Sequence, residues 1–337
     1  MPEQVDYDSM VARIAVVGVG GQGSNLVNRL YSNGMKSADT IALNTDHAHL
    51  NMIKAQKKLL IGREITSGYG AGGFPEVAAK CADASRREIE KLLEGYDLVF
   101  IAAGMGGGTG TGAAPVVAQV AREQGATVIA AVTYPLELER SRKLKAQWGL
   151  EQLNKQADCT IVVENDKLLS YVPNLPIEKA FELVDNITGN AVKGIADTIQ
   201  LPSLINLDFA DLRNVVRNTG TAVISLGYGN GTSRVEQAVA STRTHPLLTV
   251  DYDGAKGALI QVVGGNSLTI SEATQIGNGV TEGLSDSANV IFGSRMIPEL
   301  QDQIRVVSVV TGVKARFGEK RDEKASALNM SFLEAVY

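Results

Sequence analysis

The stretch "GMGGGTGTGAAP", residues 104–115, holds six glycines and two threonines in twelve positions, at the end of the apolar run "YDLVFIAAG". So much bare backbone, placed where a strand gives way to a helix, leaves N–H groups unobstructed by Cβ atoms at the positive end of the helix dipole. That is the chemistry of an anion site. Two further runs share the character: "VVGVGGQGSN" at 16–25 and "GYGAGGFP" at 68–75. Three glycine loops following parallel strands point to a triphosphate held from several sides, because three ordered loops with no ligand would cost entropy without return.

The rest of the first half supports a sheet that can carry such loops. "RIAVVGVG", "ADTIALN", "LLIG", "YDLVFIAAG", "ATVIAAVTYP" and "CTIVVEND" read as strands, several too apolar to have a solvated face, separated by helix-length segments. This is the pattern of a parallel sheet covered on both sides. From 177 to about 200, Ile177, Phe181, Val184, Ile187, Ala191, Ile195 and Ile199 recur at spacings of three and four and predict one long helix, ended near Pro202. After 221 the strand candidates "TAVISLGYG", "KGALIQVVGG", "ANVIFGSRM" and "IRVVSVVTGV" frame helices at 233–244 and 271–284, a second sheet in a smaller α+β domain. The expected fold class is therefore α/β: a parallel Rossmann-like domain, a long central helix and a C-terminal α+β domain with a mixed sheet. The boundaries are an N-terminal tail at 1–11, a nucleotide domain at 12–176, the helix at 177–201, a loop and following helix at 202–220, the α+β domain at 221–313 and a tail at 314–337.

Composition narrows the partners. At 337 residues the chain can bury a core, and its net charge of −5 provides no general basic face for nucleic acid. Cys81 and Cys159 lie far apart, and His47, His49 and His245 complete no metal-ligand spacing, so neither zinc nor a disulfide is expected. His245 precedes Pro246 and reads as part of a turn. No run of about 18 apolar residues and no apolar leader segment is present, so a cytoplasmic protein is expected.

Two readings of the first loop stay open on residues alone. Gly18, Gly20 and Gly23 satisfy G-x-G-x-x-G between a strand and a helix, and Asp46 lies near the spacing of an acid that holds a ribose hydroxyl, which suits an NAD(P)-dependent oxidoreductase. The triphosphate reading needs the second and third loops. No loop carries the lysine of G-x-x-x-x-G-K-[ST], so phosphate charge must be met by N–H groups, by hydroxyls such as Thr109, and by a Mg²⁺ carried in with the nucleotide. No carboxylate cage for that metal is apparent in the loops, and slow turnover by an isolated chain follows from so sparse a site.

At "GGGTGTG" the chain resembles the tubulin/FtsZ superfamily, and within it the FtsZ family of cell-division GTPases. The matching runs are "GVGGQGSNLVNRL", "NTD", "GYGAGGFP", "GMGGGTGTGAAP", "ENDKLL" and "NLDFADLR", over roughly residues 12–313. The resemblance implies binding of GTP and GDP and hydrolysis of GTP. It places Gly20, Gly21, Gln22, Gly23, Ser24 and Asn25 at the first phosphate loop. Ala71, Gly72 and Gly73 would approach the γ-phosphate, and Gly106, Gly107, Gly108, Thr109 and Gly110 would cradle the α- and β-phosphates. Glu139 would hold the ribose, with Lys143 where the family has an arginine; a lysine supplies the charge without the planar fork. Leu136, Arg140, Gln22 and Ser24 are further departures. For the base the resemblance implies Asn165, Phe181 and Asp185: a carboxylate accepts from the N1–H and N2–H₂ of guanine, and a phenyl face stacks on the ring. Beside this stands the plain reading of Phe181 and Asp185 as an (i, i+4) pair on the long helix.

Asn206, Asp208 and Asp211 in "NLDFADL" are the acid/base candidates. From Asp185 to Gln200 the helix rises about 22 Å at ~1.5 Å per residue, so if its first turns touch guanine, this loop cannot also reach the same nucleotide's γ-phosphate. A consistent solution is that it reaches the nucleotide of the next subunit, a head-to-tail contact that propagates into a filament. The resemblance implies that Asp208 and Asp211 orient and polarise water while Asn206 contacts the neighbouring nucleotide. Capping of the helix "ADLRNVVRN" by Asp208, with Asp211 in its first turn, is a compatible structural role. The expected partners are copies of the chain itself and division proteins that tether it to the membrane at the division site, with no nucleic acid and no membrane span. A tubulin-like scaffold with a role outside division is the other alternative.

Overall fold

Six apolar runs of the first half become β1 (Ile14–Val19), β2 (Asp39–Asn44), β3 (Lys57–Leu60), β4 (Leu98–Gly104), β5 (Thr127–Tyr134) and β6 (Cys159–Glu164) in a computed structural model that describes residues 12–167, 174–217, 219–244 and 250–315. They pair in parallel in the order β3-β2-β1-β4-β5-β6. Every residue of β1 and β6 is buried, because helices cover both faces. Ile14 and Val16 point to the face packed by Leu26, Val27 and Leu30 of α1 (Gly20–Ser32). Ala15, Val17 and Val19 point the other way, toward α4 (Pro75–Ala84), α5 (Arg86–Leu93), α6 (Thr109–Glu123) and α7 (Arg140–Asn154). The two-residue alternation is what lets one strand serve two cores.

The central helix runs unbroken from Ile177 to Gln200 and ends before Pro202. Its Val192, Ile195 and Ala196 lie in one cluster with Leu26 of α1 and with Val307 and Val309 of the second half. The second half comprises β7 (Gly220–Gly229), β9 (Gly257–Gly264), β10 (Asn289–Met296) and β11 (Ile304–Thr311), with helices Arg234–Arg243 and Ile270–Thr281 over one face. β11 runs antiparallel to β7 and β9, while β9 and β10 are parallel, which is a mixed sheet.

Two expectations change. The second sheet is not separate: β7 pairs in parallel with β6 through Cys159↔Gly220 and Thr160↔Thr221, so ten strands share one order. Strand patterning reports which face is buried, and leaves the identity of the neighbour unread. The stretch after Val313 also starts with structure, since β12 (Lys314–Ala315) pairs with β8 (Val250–Asp251). The expected turn at His245 and Pro246, the N-terminal tail and the tail beyond Ala315 lie outside the described residues. No described helix is long and apolar enough to cross a membrane.

Candidate nucleotide site

The three glycine segments converge at the C-terminal ends of β1 and β4, the usual ligand position of an open α/β sheet. The first is not a loop: α1 begins at Gly20, directly after β1, so Gly20 to Gly23 form its opening turn. A methyl group on Gly23 would fall 2.1 Å from the Ala102 carbonyl oxygen, and one on Gly18 would fall 2.2 Å from that of Gly23. The first and third glycines of G-x-G-x-x-G are thus used to seat α1 on the sheet. Gly20, at φ +75°, abuts the start of α6, where a methyl would lie 2.7 Å from the Gly110 nitrogen. The N-termini of α1 and α6 are therefore neighbours, and their positive dipole ends add.

The remaining segments close the floor. Only 105–108 separate β4 from α6, and Thr109 at its head shares a 2.8 Å hydrogen bond between hydroxyls with Thr45, just after β2. The Gly106 N–H donates to the Thr111 hydroxyl at 2.8 Å. The third glycine segment follows the short helix α3 (Arg63–Thr66) instead of a strand, which corrects the expected placement. It docks on the second: a methyl on Gly108 would meet Ala71 Cβ and Phe74 N at 3.1 Å and Gly73 Cα at 3.2 Å. By contrast, methyl groups on Gly21 and Gly107 would meet nothing within 4 Å. Those two positions face open space, so an anion can come close to their backbone.

Side chains around this floor differ in how they stand. Asn25 is exposed on α1, and the Gln22 amide lies against Gly104. Ser24 is fully buried, its Oγ without a partner among the described residues, so its hydroxyl faces the interior. Glu139 precedes α7 and accepts from the Leu136 N–H at 3.1 Å and from Arg142 Nη1 at 2.5 Å. Lys143 pairs with Glu137, whose carboxylate holds the ammonium pKa above its ordinary value. The backbone and Cβ of Arg142, meanwhile, rest on Gly106. On this side Arg142 touches Gly106 only through its backbone and Cβ, with its guanidinium on Glu139, while the Lys143 ammonium is turned to Glu137.

Asn165, directly after β6, and Asp185, on the central helix, are both buried polar residues. Asn165 is buried, and its Oδ1 has no partner among the described residues, an acceptor awaiting a donor. Asp185 is buried on the central helix and receives Arg29 Nε at 3.3 Å, while Arg29 Nη2 lies 3.5 Å from Glu182. Burial pushes the Asp185 carboxyl up to about 6 against the opposing pull of Arg29. Phe181, one turn earlier, is half-buried. Arg29 escaped the sequence reading, although its position four residues after Asn25 on α1 puts both on one helix face.

Asn206, Asp208 and Asp211 stand apart from all of this. Leu204 and Ile205 bond to Ser294 of β10, which fixes their loop on the outer edge of the second half. β10 lies six strand spacings from β4 in the sheet order, roughly 29 Å at ~4.8 Å each. Asp208 caps the helix Phe209–Val216, accepting from the Asp211 N–H at 2.8 Å, and Asp211 accepts from the Asp208 N–H at 3.2 Å. This reciprocal capping box is the structural role expected beside the catalytic one. It leaves Asn206 and Asp208 exposed. Asp46, the acid of the dinucleotide alternative, is likewise occupied as the cap of α2 (His47–Met52), accepting from His49 N–H at 3.0 Å.

A strand-ordered α/β half with paired glycine helix starts and no phosphate-loop lysine defines the class of tubulin-like GTPases. Residues 13–173 match the model of the Tubulin/FtsZ family GTPase domain, and residues 220–314 that of the FtsZ family C-terminal domain. The chain is 52% identical over 307 residues to "Cell division protein FtsZ 2" of Methanocaldococcus jannaschii, covering 90% of this chain and 81% of that protein. It is 47% identical to "Cell division protein FtsZ 1" of Archaeoglobus fulgidus, over 90% of this chain and 82% of the other. Among solved structures, an empty FtsZ dimer from M. jannaschii superposes with a TM-score of 0.85 at 40% identity, covering 94% of this chain and 96% of that one. The chain belongs to the FtsZ family. The oxidoreductase alternative is not favoured, since both matching family models and the relatives belong to the FtsZ family.

Proposed function

We propose that this protein binds GTP on the floor described above, hydrolyses it, and assembles head to tail into filaments that act in cell division. The observation that carries the reading is the separation of the phosphate floor from the acidic loop on β10. Within one molecule the glycine segments that cradle phosphate carry no carboxylate, and the Asp208–Asp211 pair lies far from them. Gly20 to Asn25, Ala71 to Gly73 and Gly106 to Gly110 are assigned to the phosphates, Glu139 with Arg142 or Lys143 to the sugar and phosphate edge, and Asn165, Phe181 and Asp185 to guanine. Asn206, Asp208 and Asp211 act on the nucleotide of the adjoining copy, where Asp208 and Asp211 orient the attacking water.

Apolar exposure at both ends supports the contact. Tyr69 (90% exposed) and Phe74 (54%) rim the phosphate floor, and Leu204 (71%) and Ile205 (48%) flank the acidic loop. A contact between two unlike surfaces does not close on itself and propagates. Mg²⁺ would come in with the nucleotide, where it neutralises phosphate charge. The relatives named as cell-division proteins support that role; its place would be the cytoplasm at the division site, with membrane attachment supplied by other division proteins.

The test is dilution together with electron microscopy. Specific GTPase activity should collapse below a threshold protein concentration, and filaments should form with GTP and not with GDP. Turnover per molecule that stays constant on dilution would sink the shared-site reading.

A further inference from the structure

Lys145 stands on α7, one turn beyond Arg142, and crosses to the third glycine segment. Its Nζ donates to the Gly73 carbonyl at 2.6 Å and lies 5.6 Å from the centroid of the Phe74 ring. That segment is poorly determined by its own residues: Gly68, Gly70, Gly72 and Gly73 all have positive φ, from +59° to +86°, a region glycine enters freely and leaves as freely. Among the described residues no other side chain hydrogen-bonds to the backbone of Ala71, Gly72 or Gly73. The neighbouring cations on α7 are committed elsewhere, Arg142 to Glu139 and Lys143 to Glu137. Lys145 forms no salt bridge to a carboxylate among the described residues, so its charge is left for an anion.

We infer that Lys145 is a positioning residue that makes the site discriminate a nucleoside triphosphate from a diphosphate. It holds the Ala71–Gly73 backbone in one of several glycine-permitted conformations and sets a positive charge beside the place assigned to the third phosphate. The inference rests on the GTP reading above. Loss of the ammonium releases the loop and removes the charge, and both effects fall on the γ-phosphate, because the α- and β-phosphates rest on Gly106 to Gly110 and the start of α1.

Calorimetric titration of GDP and of a non-hydrolysable GTP analogue tests it, on the wild-type chain, on Lys145→Met, which keeps the apolar stem, and on Lys145→Arg, which keeps cation and donors. The expected result is an analogue affinity lower by about tenfold in Lys145→Met, the scale of one charge-assisted hydrogen bond. GDP affinity should stay within about twofold, and Lys145→Arg should recover most of the loss. Equal weakening of both ligands, or no change in either, overturns the inference and leaves the GTP reading intact. A wild-type chain that binds neither nucleotide overturns both.

Discussion

Arg29 on α1 reaches across to Asp185 on the central helix, Nε to Oδ2 at 3.3 Å, and ties the helix that opens with the first glycine segment to the residue assigned to guanine. A buried carboxyl raised to about 6 is only partly ionised in mildly acidic solution, and guanine needs the ionised form. Nucleotide affinity should therefore fall about tenfold between pH 7 and pH 5, the loss of ionised fraction for a pKa near 6. Asp185→Asn should bind weakly at both values without that slope, as calorimetry at the two pH values can show.

The same shift has the opposite sign for stability of the empty protein. The folded-state pKa of about 6 lies well above that of an ordinary aspartate, so between about pH 4 and 6 the native state holds more protons than the unfolded one. Stability then falls as pH rises through that window and stays lower above it, by up to about 3 kcal/mol. The difference in unfolding free energy between wild type and Asp185→Asn, measured by urea titration from pH 4 to 7, should trace this step.

Cap and catalyst can be separated at Asp208. Asparagine caps a helix about as well as aspartate, so Asp208→Asn should leave the melting temperature within about 2 °C while GTP turnover in the assembled state drops at least tenfold. Asp211→Ala should also lose turnover with nucleotide binding kept, and it should cost about 1 kcal/mol through the broken capping box. Wild-type turnover in both variants would remove these carboxylates from the mechanism.

Glycines that look equivalent in the sequence should behave oppositely. Gly23→Ala puts a methyl 2.1 Å from the Ala102 oxygen and should destabilise by several kcal/mol through backbone displacement. Gly21→Ala and Gly107→Ala place theirs in open space. Thermal unfolding should be near normal in these two, with nucleotide affinity reduced because the methyl occupies the approach to the N–H groups.

On the α7 side, Arg142→Ala should weaken nucleotide binding more than Lys143→Ala does. Arg142 lies on Gly106 and Lys143 is turned to Glu137. Fluorescent-nucleotide titrations of the two variants decide this, and a larger effect at Lys143 would return the role to the position the family alignment of motifs suggests.

Much of this architecture was legible before any coordinates. The six apolar runs and the period of the central helix each carry a local signature and became the elements their patterns indicated, whereas the first glycine cluster opens α1 and the third follows a helix instead of a strand. The capping role of Asp208 and Asp211 was legible as well. What stayed hidden depends on contacts between distant residues: Arg29 with Asp185, Thr45 with Thr109, Lys145 with Gly73. None of these pairs has a spacing that local periodicity can report. The turn of Lys143 toward Glu137, and with it the approach of Arg142 to Gly106, follows from where α7 begins, an end effect that composition does not encode.

The seam between β6 and β7 holds two residue pairs, whereas the ladders on either side of it run much longer. A rigid tilt of one half against the other about that line would break few backbone hydrogen bonds, and its resistance would come mainly from side chains sliding along the central helix. The molecule is thus built as two stiff leaves on a narrow binding. Force applied where one copy grips the next has its cheapest outlet there, in the fold's own line of least resistance.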